Sequence, residues 1–388
     1  MRILEVHRWL RHAPSGEDAA VELDVALLRA AGHDVHIFDL DDGRSPTSRL
    51  GQLAARQQLV KPFLDHQFAR CLEEVRPDIV HAHSLYGTIA ASIVAVAHRR
   101  GIPVVQTIHN YRFRCVEGFY LRDDHPCFEC RDARSSLPAL RHGCRRRGVL
   151  QHASLVASET VNRRRWEQVD AYIAISAAVA EQLRLDGVDD AKIALIPSVE
   201  ADSVGSASTT PGHGLAFAGR LSDQKGASLL VAAWCRAASR HTQSLVIAGS
   251  GGNEIAVRAL AAEEPSITFL GFVSEAQVLE VFSSAAAVAF PSHLEPFGRS
   301  AAKALCLGRP LIAVRGSQNG IDVDPSFGWL ADERTPASLA AAIDQALADP
   351  VELTRRGAAA RRVYEQNHHP ALFVDRLVDV YARTIAGG

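Results

Sequence analysis

Residues 290–310 read FPSHLEPFGRSAAKALCLGRP, and they decide the fold. A short apolar run ends at Phe290, a polar loop carries Glu295, and Gly298 opens an Ala-rich helix. Strand, loop and helix start in that order form half of a βαβ unit. The unpaired N–H groups of the helix start favour an anion, and Gly298 lets one approach the backbone closely. A carboxylate at Glu295 is suited to grip sugar hydroxyls, although acidic residues near helix starts also occur without a ligand.

The same alternation runs through the rest of the 388 residues. Apolar runs at Arg2–Val6, Asp34–Phe38, Ile79–Ala82, Pro103–Thr107 and Ala171–Ile175 predict strands of a first half. Leu215–Ala218, Ser244–Ala248, Ile267–Leu270, Ala287–Phe290 and Leu311–Val314 predict those of a second. Between them lie helical periods, one from Asp18 to Ala31 with Gly32 as its cap and a last one from Pro370 to Ile385. Residues 197–213, PSVEADSVGSASTTPGH, have no apolar period and predict a linker. The fold class expected is α/β, two doubly wound Rossmann-like domains facing across a cleft. Their expected bounds are 1–196 and 214–365, with 366–388 as a helix packing back on the first domain.

Composition narrows the function. Lys and Arg total 42 against 44 Asp and Glu, so no global field marks a nucleic-acid binder. No apolar run is long enough to cross a membrane, and MRILEVHRWL reads as a strand rather than a signal peptide, which points to the cytoplasm. The seven cysteines are then thiols or metal ligands before they are disulfides. Cys115, Cys127, Cys130 and Cys144 form C-x11-C-x2-C-x13-C, a candidate closed site for a structural zinc inside an insertion at about 110–150; free thiols are the alternative. Cys71, Cys235 and Cys306 sit in helical contexts as small apolar residues.

Strand Leu215–Ala218 runs into GRLSDQKG, which sets Gly219, Arg220 and Lys225 at a strand's carboxyl end. Two fixed cations there can neutralise a diphosphate without a metal. Only four of the 42 basic residues are Lys, so an ammonium at 225 stands out. Arginines crowd residues 131–165 (Arg131, Arg134, Arg141, Arg145 to Arg147 and Arg163 to Arg165), opposed mainly by Asp132 and Glu159. Such a patch suits an anionic acceptor or peripheral contact with an anionic membrane; as a solvated face it needs no partner. It lacks the interleaved aromatics expected for nucleic acid.

Taken in order, GRL-x4-KG, IAGSGG, GFV and PS-x2-EPFG resemble the donor half of the family 4 retaining glycosyltransferases, whose fold is GT-B. SGEDAAVELDVALLRAAGHDV resembles that family's N-terminal loop and first helix, and HNYRFRCVEGFYLRD-x3-C-x2-C the acceptor-side segment of one subgroup. The resemblance spans nearly the whole chain. It implies a nucleotide-diphosphate sugar as donor, no catalytic metal, and transfer with retention to an unspecified acceptor. It also implies roles: Arg220 and Lys225 on the diphosphate, Glu295 on sugar hydroxyls, and the backbone of Phe297 and Gly298 over sugar and phosphate. Arg299 and Ser300 follow in the same donor-binding stretch, Val273 lies near the base, Ser15 and Gly16 beside the diphosphate, and His109 faces the sugar. His81 and His83 read as structural.

Two positions depart from the pattern. Ser15–Gly16 replaces a Gly pair, and Lys303 replaces a second Glu that in the family holds the nucleotide ribose. Lys303 leaves three readings: a donor held differently, with Lys303 on a phosphate or acidic group; weaker donor binding; or a binding protein that keeps the shell without transfer. A sugar-nucleotide epimerase is a further alternative.

Overall fold

The computed structural model describes residues 1–9, 16–40, 61–84, 88–123, 125–144, 168–202 and 211–387. The chain forms two compact units, Met1–Ser198 with Ala371–Gly388, and Val199–Pro370.

Leaving aside two-residue ladders, the first unit has strands β1 (Arg2–His7), β2 (Asp34–Asp39), β3 (Ile79–His83), β4 (Val104–Ile108), β5 (Ala171–Ala174) and β6 (Ile193–Leu195). They form one parallel sheet in the order β2-β1-β3-β4-β5-β6. β3 and β4 are buried at every residue, as a parallel sheet covered on both faces requires. The chain reverses direction across the sheet at β1 and β3, so its switch point lies at the carboxyl ends of those strands, His7 and His83. Helix Gly16–Ala30 follows β1, and Gly32 lies just beyond it at φ +84°. The last helix, Phe373–Gly387, belongs to this unit and buries Phe373, Leu377, Val380 and Tyr381.

The second unit repeats the plan with β7 (Leu215–Ala218), β8 (Leu245–Ala248), β9 (Ile267–Gly271), β10 (Ala287–Phe290), β11 (Leu311–Val314) and β12 (Gly328–Ala331). The order is β9-β8-β7-β10-β11-β12, all parallel. Its switch point falls between β7 and β10, whose carboxyl ends lead into Gly219–Arg220 and Pro291–Glu295. Trp234, Leu230, Val231 and Phe217 pack with Leu339 and Ile343 in one apolar core around this sheet.

Some local structure goes beyond the sequence reading. Strands β6 and β12 were not expected; both are sheet edges. Leu294–Glu295 is not plain loop but pairs in parallel with Gln318–Asn319. Of the expected linker, Ser198 closes the first unit, Val199 opens the second, and Glu200 is buried; residues 203–210 lie outside the described chain.

Candidate functional site

In the second unit, two loops at the switch point are stitched together. After β7 the chain makes one 3-10 turn, Asp223–Lys225, ended by Gly226 in the left-handed region at φ +72°. Gln224 donates through Nε2 to the Leu294 carbonyl at 2.8 Å, and its backbone carbonyl accepts from His293 N at 2.9 Å. Arg334 donates to the carbonyls of Pro291 and Asp223, tying both loops from a third direction. This frame sets Lys225 Nζ on Glu295 Oε2, an ion pair whose side chains are only 19% and 11% exposed. Arg220, two residues past β7, is exposed. Helix Arg299–Cys306 starts immediately beyond, with Gly298 at φ +96°. A Cβ on Gly298 would meet the Phe290 ring, so both the backbone conformation and the space there call for glycine. Phe297 is buried, Ser300 and Val273 half-buried, and Gly219 half-buried at the β7 end.

Lys303 is part of a buried ion cluster. Its Nζ lies 2.5 Å from Glu200 Oε1 and 2.5 Å from Glu275 Oε1. Arg299 reaches the same two carboxylates, at 3.2 Å to Glu200 and 3.1 Å to Glu275. Two cations thus meet two anions, and Lys303 is matched within the unit. Lys303 and Glu200 side chains are 5% and 6% exposed, whereas Glu275 is 59% exposed. Burial tends to raise the Glu275 carboxyl, but Lys303 and Arg299 outweigh it and hold the group low. Glu200 is further fixed by its backbone, which donates to the His368 carbonyl and accepts from Tyr364 Oη. Sequence reasoning missed Glu200 and Glu275. Glu200 lay in an apparent linker, and the one signal for either was Lys303 itself, a buried cation that requires an acid.

The first unit's switch point carries a chain of imidazoles. Glu5, on β1, is fully buried and splits its oxygens between His81 Nδ1 at 3.2 Å and His83 Nε2 at 2.7 Å. His81 continues to Thr107 Oγ1 at 2.7 Å and to Tyr381 Oη at 2.6 Å. His83 Nδ1 meets His109 Nε2 at 3.0 Å, with the two rings stacked. Burial opposes ionisation of Glu5, but the charge of His81 and the hydrogen bonds of His81 and His83 prevail and hold its carboxyl low. Burial together with neighbouring imidazoles lowers His83 to about 4 and His109 well below the ordinary histidine range.

Glu5, His81 and His83 are the one group among the described residues with three metal-ligand atoms mutually within 4.8 Å. Tetrahedral nitrogens held about 2.0–2.1 Å from Zn²⁺ stand roughly 3.4 Å apart. The 2.7 and 3.2 Å separations here are those of shared protons. Beside them, Glu17 lies in the first turn of helix Gly16–Ala30 and accepts from Asn110 Nδ2 at 3.3 Å. Burial pushes its carboxyl up to about 7, with Asp18 adding to the rise and Ser84, Arg112 and Asn110 opposing it. Gly16 is exposed at the helix start; Ser15 lies outside the described residues.

The four cysteines fall in one local unit. It holds a two-residue hairpin, Leu121–Arg122 with His125–Pro126, and two short helices, Glu129–Asp132 and Leu137–His142. Burial raises the Cys130 thiol to about 11, and Cys115, Cys144 and Cys127 add to the rise. Burial also raises Cys144, again with Cys115 and Cys127 contributing. The sulfurs therefore sense one another. No three of them come within 4.8 Å among the described residues, so coordination would require them to close up. Of the basic patch, Arg131 pairs with Asp132 and lies over the Phe128 ring; residues 145–167 are outside the described chain. No described helix is long and apolar enough to cross a membrane.

Two family models match the chain: Glycosyltransferase Family 4 over residues 25–198 and Glycosyl transferases group 1 over residues 206–363. The glycogen synthase of Mycobacterium tuberculosis is 28% identical over 380 residues, covering 91% of this chain and 80% of that protein. The D-inositol 3-phosphate glycosyltransferase 1 of Catenulispora acidiphila is 28% identical, covering 80% and 73%. Among solved structures, Anabaena HepE in complex with UDP-glucose superposes with a TM-score of 0.67 at 17% identity, covering 100% of both chains.

Proposed function

Because the chain belongs to the family 4 glycosyltransferases of the GT-B type, we propose that it transfers a sugar from a nucleotide-diphosphate donor with retention at the anomeric carbon. The observation that carries this reading is the Lys225–Glu295 pair at the second unit's switch point, beside the start of helix Arg299–Cys306. A cation and a carboxylate are already opposed there, so one can turn to phosphate and the other to sugar hydroxyls. Arg220, Lys225 and the helix start would stabilise the diphosphate as it leaves, a role for fixed charge and dipole in place of a metal. Glu295 is committed to Lys225, which fits a binding role better than that of a free general acid. The bond from the anomeric carbon to the diphosphate oxygen breaks, the acceptor hydroxyl adds on the same face, and the departing phosphate oxygen takes its proton. That HepE was solved with UDP-glucose makes UDP-sugars the first donors to try.

Of the three readings of Lys303 we take the first, a donor held differently, with one change. Because its charge is shared with Glu200 and Glu275, the proposal gives it no phosphate. Glu275, more exposed and held ionised by Lys303 and Arg299, is the carboxylate proposed to receive the nucleotide's ribose hydroxyls. Glu275→Gln should then weaken donor binding about tenfold while leaving the fold intact, as calorimetry would show; unchanged affinity removes this assignment.

Donor turnover in water, without acceptor, tests the function. Arg220→Ala or Lys225→Ala should lower it about 10²- to 10³-fold, the usual loss when one preorganised partner of developing charge is removed. Wild-type rates in both would contradict the donor site. A donor that binds without turning over favours the non-catalytic shell, and an altered sugar on an intact nucleotide favours the epimerase.

Two further assignments are proposals of their own. A structural zinc on Cys115, Cys127, Cys130 and Cys144 is supported by their gathering in one local unit; a metal content near zero in chelator-free protein removes it. The Arg-rich 131–165 stretch is assigned to an anionic acceptor or membrane surface. Absence of cosedimentation with anionic phospholipid vesicles at low salt removes the membrane version.

A further inference from the structure

We infer that Glu5 is a positioning residue: through His83 it fixes the tautomer of His109, leaving His109 Nδ1 as a pure hydrogen-bond acceptor. The role this gives His109 rests on the proposed sugar transfer; the proton placement does not.

The argument follows the protons from the buried end outward. An ionised carboxylate has only lone pairs, so the 2.7 Å contact between Glu5 Oε2 and His83 Nε2 places a hydrogen on that nitrogen. His83 is fully enclosed, and its depressed basicity keeps the ring neutral near pH 7. A neutral imidazole with hydrogen on Nε2 has a bare Nδ1. The 3.0 Å contact from His83 Nδ1 to His109 Nε2 then needs its hydrogen from His109. His109 is neutral as well, so its own Nδ1 is bare. That nitrogen has no hydrogen-bond partner among the described residues.

The rest of the surroundings hold the relay in place. Glu5 Oε1 lies against His81 Nδ1, a nitrogen it shares with Tyr381 Oη, and Thr107 holds the other side of that ring, so the carboxylate has a second partner that favours its orientation toward His83. The His109 backbone N–H donates to Ser84 Oγ at 3.0 Å, which fixes the residue at the end of β4. His83 and His109 come from adjacent strands and their rings stack 5.3 Å apart. The consequence is chemical. A bare Nδ1 accepts from a hydroxyl and cannot donate to a departing oxygen. His109 is thereby suited to hold a sugar hydroxyl and unsuited to act as a general acid.

The test is two-bond proton–nitrogen NMR of the full chain labelled at the histidine ring nitrogens, with His109→Gln used to assign the His109 signals. The expected pattern for His109 is a protonated Nε2 and a bare Nδ1 in the wild type. In Glu5→Leu, which removes the acceptor, the second tautomer should rise to a comparable population. A protonated Nδ1 or an imidazolium in the wild type overturns the inference, as does one unchanged tautomer in folded Glu5→Leu. If that variant fails to fold, His83→Phe removes the next link and should mix the His109 tautomers in the same way; an unchanged pattern there also overturns it. UDP-, GDP-, ADP- and dTDP-glucose are titrated into the same labelled wild type. A shift of His109 Nδ1 on adding one of them supports the sugar contact. A fixed tautomer that responds to none overturns that contact and leaves the relay standing.

Discussion

Without the Lys303 ammonium, Glu200 would share one arginine with Glu275 in a site where Glu200 is only 6% exposed. Removing one partner of a buried pair costs about 3–5 kcal/mol, because the remaining charge is left desolvated. Lys303→Met should lower stability by that order in urea unfolding at neutral pH; a loss under about 1 kcal/mol would contradict the ion cluster. Lys303→Glu, which restores the family's residue, should do worse, since three carboxylates would then meet Arg299 alone. This position shows how far residue type reaches on its own. Lys303 was legible as a departure, but its meaning lay in two acids 103 residues before and 28 residues before it in the chain. Glu17 carries a pH signature. Its carboxyl is raised to about 7 by burial, so the folded chain binds that proton more tightly than the unfolded one. The stabilising contribution is complete below the unfolded carboxylate range, near pH 4.5, and is lost as pH rises through about 7. Thermal melts should show Glu17→Gln gaining on the wild type between about pH 5 and pH 8; a constant difference would contradict this.

At the scale of elements, the start of helix Arg299–Cys306 is the most demanding local structure. Its Gly298 combines φ +96° with a Phe290 ring where a side chain would go. Gly298→Ala should cost about 1–3 kcal/mol from backbone strain and weaken nucleotide-sugar binding as the helix start shifts; denaturant unfolding and calorimetry measure the two effects. A fully stable, fully active variant would contradict the requirement for glycine at position 298. The strand–loop–helix order around this glycine was readable because continuous apolar runs mark buried parallel strands. β6 and β12 were missed for the opposite reason. As sheet edges they need less apolar sequence, and Ile193–Leu195 is only half-covered while β12 begins with glycine. The second unit's switch point nevertheless coincides with GRLSDQKG and EPFG, singled out from sequence, while the His109 strand is the neighbour of β3, one strand from the first unit's switch point. The connection from His109 to Glu5 was not readable, because it runs across three strands that only the sheet brings together.

The whole molecule is not a simple succession of two halves. The last helix follows the second unit in sequence and belongs to the first, where Tyr381 Oη meets His81 Nδ1 at 2.6 Å. Its apolar spacing and its return to the first domain were both expected from the sequence; the Tyr381–His81 contact, 300 residues apart in the chain, was not. Deleting residues 371–388 should therefore destabilise the first unit. The deletion removes four buried side chains, Phe373, Leu377, Val380 and Tyr381, whose burial contributes about 1.5–3 kcal/mol each. Hydrogen exchange should rise at β3 and leave β10 protected; equal protection at β3 would contradict the assignment. The central claim is that the second unit's switch point holds a nucleotide-diphosphate sugar. Calorimetric titration of UDP-, GDP-, ADP- and dTDP-glucose into wild type and Lys225→Ala tests it most directly. The account predicts that one donor binds the wild type and loses at least about tenfold in affinity in the variant, as expected when a charged contact worth about 1.4 kcal/mol or more is removed. No binding to well-folded wild type, or equal binding to both proteins, would contradict it.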